Sequence, residues 1–237
     1  MTRRRWIADE IQGDRAALTG AHAQHLIQVL RARVGQEFDV AAGGVVRRAK
    51  IRSLSDARVD FELGEIVPQP ELPKLTLLLA IFKFDRMEWA IEKCTELGVS
   101  RFIPLIARRT DIHLASAASK RWERWQRLVR QAAEQSRRAT FPEFEKPVEV
   151  TQAVQVQQGT RILLAENEQS LRLTDVLAEA YSDFTFALAI GPEGGWTDDE
   201  VQVFASAGWI SASLGPTILR SETAAIAAVA TALSALA

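Results

Sequence analysis

The sequence predicts an α/β protein in two parts: a small β-barrel, then a larger layered domain built on a mostly parallel sheet. Three observations carry this expectation. Short β-like segments separated by turn residues fill the chain before residue 67. A proline-broken stretch follows, with Pro68, Pro70 and Pro73 at near-alternate positions. Beyond it, apolar runs alternate with helical periodicity, the pattern of strands feeding crossover helices.

In the first part, residues 37–41, 45–51 and 58–63 have β character. The last alternates polar and apolar residues strictly, as a half-buried strand does. Gly43-Gly44 between the first two is a hairpin signal. Residues 22–31 predict one short helix with Leu26, Val29 and Leu30 on a common face. Prolines deny the 67–73 stretch both a helix and a central strand, so it is a connector, and the domains are placed at 1–70 and 74–237.

In the second part, residues 75–82 form a continuous apolar run, expected of a strand buried on both faces. A helix is predicted over 86–97, closed by Gly98. A strand at 102–106 and a long helix over 118–138 come next, then strands at 161–165 and 184–190. Thr197 and Glu200 have capping-box spacing and mark a further helix start. The last segment, from residue 224, is small and apolar on nearly every side, so it is expected to be packed all round, in its own chain or against a second copy.

Composition narrows the function classes. The 237 residues are 47% hydrophobic and 25% charged, with a formal net charge of −1, so no global basic field advertises a polyanion partner. Local patches still could serve one. The one cysteine, Cys94, allows no internal disulfide, and with only His22, His25 and His113 as histidines no metal site is expected. The charged start lacks an apolar segment behind it, and no run reaches the roughly 20 residues of a membrane span, so a cytoplasmic protein is expected.

Two loops stand out. Residues 186–196 read FALAIGPEGGW, a buried strand running into a glycine loop ahead of a capped helix. Ligands of open α/β sheets sit at such strand ends, and glycine lets backbone groups approach them closely. A tight turn needing glycine for its own dihedrals reads equally well. Residues 213–223, SLGPTILRSET, supply a second Gly-Pro loop between a strand and a helix. The phosphate-loop ending Gly-Lys-Ser/Thr and the G-x-G-x-x-G fingerprint are both missing, which removes the usual nucleotide folds.

GPEGGWTDDEV followed by SLGPTILRSETAAIAA resembles the paired knot motifs of the bacterial 16S rRNA (uracil-N3)-methyltransferases. So do residues 83–110 (KFDRMEWAIEKCTELGVSRFIPLIARRT), residues 123–138 (ERWQRLVRQAAEQSRR) and the opening HLIQVLRARVGQEFDV. The resemblance implies a trefoil-knotted SPOUT methyltransferase domain behind a PUA-like RNA-binding barrel. It implies S-adenosylmethionine as cofactor, bound by Ile190, Gly191, Glu193 and Gly195 from the first loop and Leu214, Gly215, Leu219 and Arg220 from the second. It also implies a homodimer, no metal, and methylation of N3 of one uridine in the decoding region of 16S rRNA on the small ribosomal subunit. Two other readings remain: a knotted methyltransferase acting elsewhere on RNA, such as a ribose 2′-OH, and a non-catalytic rRNA-binding factor.

Uridine N3 must lose a proton, and charge gathers on O2 and O4. Arg220 is the candidate for stabilising that charge; phosphate positioning or a structural ion pair would equally suit it. Glu193 is a candidate base, or else a ribose ligand or turn residue. Arg31, Arg33, Arg47, Arg48, Lys83, Arg86, Arg109 and Arg138 are candidates for rRNA phosphate contacts, alongside the arginines of residues 120–138. Trp122 and Trp125 read as core. Phe84 and Arg137 stand where the family often has glycine, so the local geometry there is expected to differ.

Overall fold

The structure is a computed structural model, and it describes residues 5–69, 73–156, 159–179 and 185–235. The charged start, the centre of the proline connector at 70–72, Phe184 of an expected strand and the final Leu236 and Ala237 lie outside the described residues. The chain divides into two compact units: Met1–Glu71 with Ala133–Phe141, and Leu72–Ala132 with Pro142–Ala237.

The first unit is a six-stranded sheet. Its strands are β1 (Arg5–Ile7), β2 (Glu10–Gln12), β3 (Arg15–Thr19), β4 (Glu37–Ala42), β5 (Val45–Ser55) and β6 (Arg58–Ile66), in the order β1-β4-β5-β6-β3-β2. Ala42 pairs with Val45, so Gly43 and Gly44 form a two-residue turn, and both take the positive φ that such a turn demands. The alternation along β6 holds: Val59, Phe61 and Leu63 enter the core, while Arg58, Asp60 and Glu62 do not.

The helix expected over 22–31 is a correction. The chain makes α1 (Gly20–Gln24) and then a π-helical turn (His25–Val29), which ends at Arg31 with φ 49°. A π turn adds a residue per turn, so the face predicted from a 3.6 period breaks up. Leu26 is fully buried, whereas Val29 is 64% exposed. Residues 133–141 also belong to this unit, where Phe141 packs beside Ile7, Ala41 and Val46.

The second unit is a wholly parallel sheet. Its strands are β7 (Lys74–Ala80), β8 (Arg101–Ile106), β9 (Glu143–Phe144), β10 (Val148–Glu149), β11 (Thr160–Leu164), β12 (Thr185–Ile190) and β13 (Ile210–Ala212). The order is β10-β8-β7-β12-β11-β13, with β9 also paired to β8. β7 is buried from Leu75 to its end, as its unbroken apolar run requires. Its helices are α2 (Phe84–Leu97), α3 (Ile112–Gln135, which continues into the first unit), α4 (Val150–Ala153), α5 (Leu173–Glu179), α6 (Asp198–Ser206) and α7 (Ser221–Ala235).

Local chemistry explains the helix ends. α2 closes at Gly98, whose N–H donates to Cys94 and Thr95 carbonyls at φ 128°. α3 begins six residues before the predicted 118, because Asp111 caps it, accepting from the His113 and Leu114 amides at 2.8 and 3.2 Å. α6 has the predicted capping box between Thr197 and Glu200. On α3, Trp125, Val129 and Ala132 are buried, and Phe84 meets Trp125 edge-on at 5.8 Å. Phe84 thus replaces an expected glycine with core packing. Cys94 is fully buried among apolar neighbours, and burial pushes its thiol up, away from thiolate chemistry.

Candidate functional site

β11 lies between β12 and β13, and their last residues are lateral neighbours: Leu164 pairs with Ile190 on one side and Ala212 on the other. Three loops therefore leave one edge of the sheet side by side. They enclose a cavity of about 270 Å³ lined by residues 164–167, 190–192, 195–196 and 212–219, with Arg109, Asp198, Ser221 and Ala224. That volume is near the lower end of the roughly 300–1000 Å³ typical of small-molecule sites. Leu164, Ile190, Leu214 and Leu219 give it apolar walls, Glu166 and Asp198 give it carboxylates, and loop backbone supplies the rest.

The first loop is braced from several directions. The Gly195 amide donates to the Pro192 carbonyl at 2.9 Å, and Gly195 sits at φ 70°. A Cβ on Gly195 would come within 2.7 Å of Glu166 Oε1, so this glycine answers both a backbone and a space requirement. Trp196 Nε1 donates to the Leu164 carbonyl at 2.9 Å, tying the loop to the end of β11. The Trp196 ring packs edge-on against Phe204, and Phe204 does the same against Trp209.

Two arginines grip this loop. Arg109 Nη1 donates to the Gly194 carbonyl at 2.8 Å and the Trp196 carbonyl at 3.1 Å. Arg86 donates to Glu193 Oε1 at 2.7 Å, and its Nε lies 3.8 Å from Glu222 on the first turn of α7. Below them, the buried Glu200 closes the capping box with Oε2 and accepts the Arg108 amide at 2.8 Å with Oε1.

The second loop is held differently. Its base is zipped by Ser213, whose amide donates to the Leu171 carbonyl while its own carbonyl accepts from the Leu173 amide, both at 2.9 Å. Past that point, residues 214–219 make no hydrogen bond among the described residues. Pro216, Thr217 and Ile218 are exposed.

Of the residues expected to hold a cofactor, Ile190, Gly191, Gly195, Leu214, Gly215 and Leu219 line the cavity. Glu193 and Arg220 do not: Glu193 turns to Arg86, and Arg220 is exposed at the start of α7 with no side-chain partner among the described residues. Glu166 and Asn167 also line the cavity; the Glu166-Asn167-Glu168 run after a strand is legible in the sequence, its place in this cavity is not. Only the sheet order, which sets β11 beside β12 and β13, brings them there.

The expected RNA contacts scatter. Arg31, Arg33 and Lys83 are exposed. Arg47 donates to the Gly64 carbonyl at 2.8 Å, and Arg48 lies 3.6 Å from Glu65 and 3.9 Å from Asp39. Arg138 is half-buried, and burial lowers its guanidinium to about 10. On α3, Arg124 is paired with both oxygens of Glu88 at 2.7 Å, and Arg121 lies over the Phe84 ring. Among the described residues no cluster of metal-ligating side chains occurs, and no helix is long and apolar enough to cross a membrane.

A parallel sheet with a backbone-lined cavity at three neighbouring strand ends is the arrangement of a small-ligand site. The RNA methyltransferase domain family matches residues 70–233, and the chain belongs to that family. It is 37% identical to the ribosomal RNA small subunit methyltransferase E of Synechocystis, over 90% of this chain and 71% of that protein. It is 30% identical to the Aquifex aeolicus protein of the same name, over 94% and 95%. Among solved structures, it matches ribosomal RNA small subunit methyltransferase E of Neisseria gonorrhoeae bound to S-adenosyl methionine, with a TM-score of 0.82 and 30% identity over 97% and 96% of the two chains.

Proposed function

We propose that this protein transfers the methyl group of S-adenosylmethionine to N3 of a uridine in the 16S rRNA of the small ribosomal subunit, in the cytoplasm. The single observation that carries this reading is the cavity at the ends of β11, β12 and β13, in a chain related over most of its length to small-subunit rRNA methyltransferases. Its donor set suits the cofactor: apolar walls for a base, backbone amides and carbonyls for base and ribose edges, and carboxylates toward a cationic ligand.

When bound, S-adenosylmethionine supplies an electrophilic methyl on a sulfonium and needs no metal. The residues lining the cavity orient it and exclude water. The N3 proton passes to bulk solvent, the methyl's bond to sulfur would break as its bond to N3 forms with the electron pair staying on sulfur, and the electron density gathered on O2 and O4 needs a donor. Arg220 takes that role, because it follows the cavity-lining Leu219 and its guanidinium is uncommitted among the described residues. Glu193, held by Arg86, is assigned to shaping the first loop. Of the eight residues named one by one, Arg31, Arg33 and Lys83 remain as exposed cations for rRNA phosphates, with Arg127 of the 120–138 helix also exposed.

The α7 segment is read as the end of a trefoil knot, supported by β13 returning beside β11 while α7 packs on α2 and α5. The six-stranded unit is read as a PUA-like RNA-binding domain. A second copy of the chain is read as covering α2, where Trp89 and Leu97 are exposed at 50% and 39%.

The experiment is transfer of labelled methyl from S-adenosylmethionine to small subunits purified from cells lacking the protein, with nucleoside analysis. 3-Methyluridine is the expected product. A 2′-O-methylated nucleoside would replace the uridine reading with a ribose one, and no transfer would leave an RNA-binding protein.

A further inference from the structure

Arg109 has the sequence profile of a phosphate contact, in a basic Arg108-Arg109 pair ahead of a basic helix. Its geometry says otherwise. Nη1 spans two carbonyls of the first cavity loop, those of Gly194 and Trp196. The aliphatic stem lies along Gly194: a Cβ built there would meet Arg109 Cβ at 3.3 Å and Cδ at 3.4 Å. Gly194, unlike Gly195, has no positive φ. Its lack of a side chain is therefore explained by room for the arginine stem.

The arginine is also presented from a fixed support. The Ala107 amide donates to Thr110 Oγ1 at 3.1 Å and the Thr110 amide returns to the Ala107 carbonyl at 3.0 Å, closing the turn that carries Arg109. The amide of its neighbour Arg108 is bound by the buried Glu200, the same carboxylate that caps α6 behind the loop. A guanidinium held this way loses little conformational freedom on making its bonds, and charge-assisted bonds to carbonyls are stronger than neutral ones.

We propose that Arg109 is a positioning residue of the cofactor loop, holding the backbone of residues 194–196 in the shape the bound cofactor requires, with Gly194 as its steric complement. This rests on the cofactor reading given above. It removes Arg109 from the rRNA-contacting surface and makes affinity for the cofactor, not for RNA, the property it controls.

The test is a double-mutant cycle read by titration calorimetry with S-adenosylmethionine, using full-length wild type, Arg109→Ala, Gly194→Ala and the double variant. Loss of two charge-assisted bonds from the loop is expected to weaken binding by roughly ten- to a hundredfold in Arg109→Ala. Arg109→Lys, which keeps the charge but can serve only one carbonyl well, is expected to fall between. Gly194→Ala is expected to weaken binding alone and to add less once the stem beyond Cβ is gone, a partial coupling because Arg109→Ala keeps the Cβ contact at 3.3 Å, yet one that general destabilisation would not produce. Filter binding to 16S rRNA is expected to stay close to wild type, while thermal unfolding without cofactor falls by a few degrees, because the two loop bonds are already made before the cofactor binds.

Unchanged cofactor affinity with weakened rRNA binding in Arg109→Ala would overturn the proposal and restore the phosphate contact. Additive Gly194 and Arg109 effects would overturn the steric pairing. Failure of the wild type to bind S-adenosylmethionine would instead remove the site reading on which the proposal stands.

Discussion

The two glycine loops face one cavity but are built on opposite principles. The first is held by Arg109, Arg86, Trp196 and the Gly195 turn, and rests on a capped helix. Among the described residues the second is anchored only at Ser213, and its 216–218 tip is exposed. Backbone with few partners costs little to rearrange, whereas a hydrogen-bonded wall keeps its shape in the absence of ligand. On the proposed cofactor reading, the first wall is preformed and would fix where the cofactor sits, and the second would be free to adapt to it. Substitutions should then act on stability and affinity together at the first loop, and chiefly on affinity at the second.

The largest effect is expected at Glu200. Glu200→Ala removes the carboxylate half of the α6 capping box and leaves the Arg108 and Thr197 amides without their acceptor, while the Thr197 hydroxyl still caps the helix. Losing half of the box and stranding two part-buried amides costs about 2–3 kcal/mol. Thermal unfolding should show a drop of several degrees, with cofactor affinity falling alongside. A protein that keeps its melting temperature would mean that the first loop does not depend on this brace.

Gly195→Ala comes next. The added methyl must displace Glu166 from the cavity wall and sit at φ 70°, a backbone cost of about 1–2 kcal/mol for an L-residue. Cofactor affinity is expected to fall roughly thirtyfold by calorimetry, since about 2 kcal/mol is lost. At the second loop, Gly215 has φ 126° but nothing within 4 Å of a built Cβ. Gly215→Ala carries the backbone strain of a positive φ but no steric clash, so it is expected to weaken cofactor binding only severalfold and to lower thermal unfolding by a few degrees at most. Equal effects at 195 and 215 would erase the distinction between the loops.

The difference between the loops also marks how far the sequence could be read. Each loop is visible as a Gly-Pro break between a strand and a helix, and the Thr197 cap, the Gly98 stop and the Gly43-Gly44 turn are local signals that act locally. The braces are not local. Arg109 and Gly194 are 85 positions apart, and Arg86 and Glu193 are 107 apart. Nothing in either arginine's neighbourhood distinguishes a loop clamp from a phosphate contact. The same holds for Glu166, which reaches the cavity only because β11 is inserted between β12 and β13. Two-residue strands such as β9 and β10 are too short to leave any periodicity.

The smallest expected effect calibrates the others. Arg137 occupies φ 58°, the left-handed region, with a side chain already in place. Its position is one where the resembling family often has glycine, so Arg137→Gly isolates the backbone cost that Gly195→Ala combines with a steric one. Relief of left-handed strain, about 1–2 kcal/mol, is offset by the extra freedom glycine gives the unfolded chain, about 0.5–1 kcal/mol. A net gain of about 0.5–1 kcal/mol is expected, seen as a rise of a few degrees at most in thermal unfolding. The Arg5 bond to the Arg137 carbonyl uses backbone and survives the change. If stability does not rise, left-handed backbone is cheap in this chain. The Gly195 penalty would then be almost entirely the displacement of Glu166, and the second loop would have no glycine requirement at all.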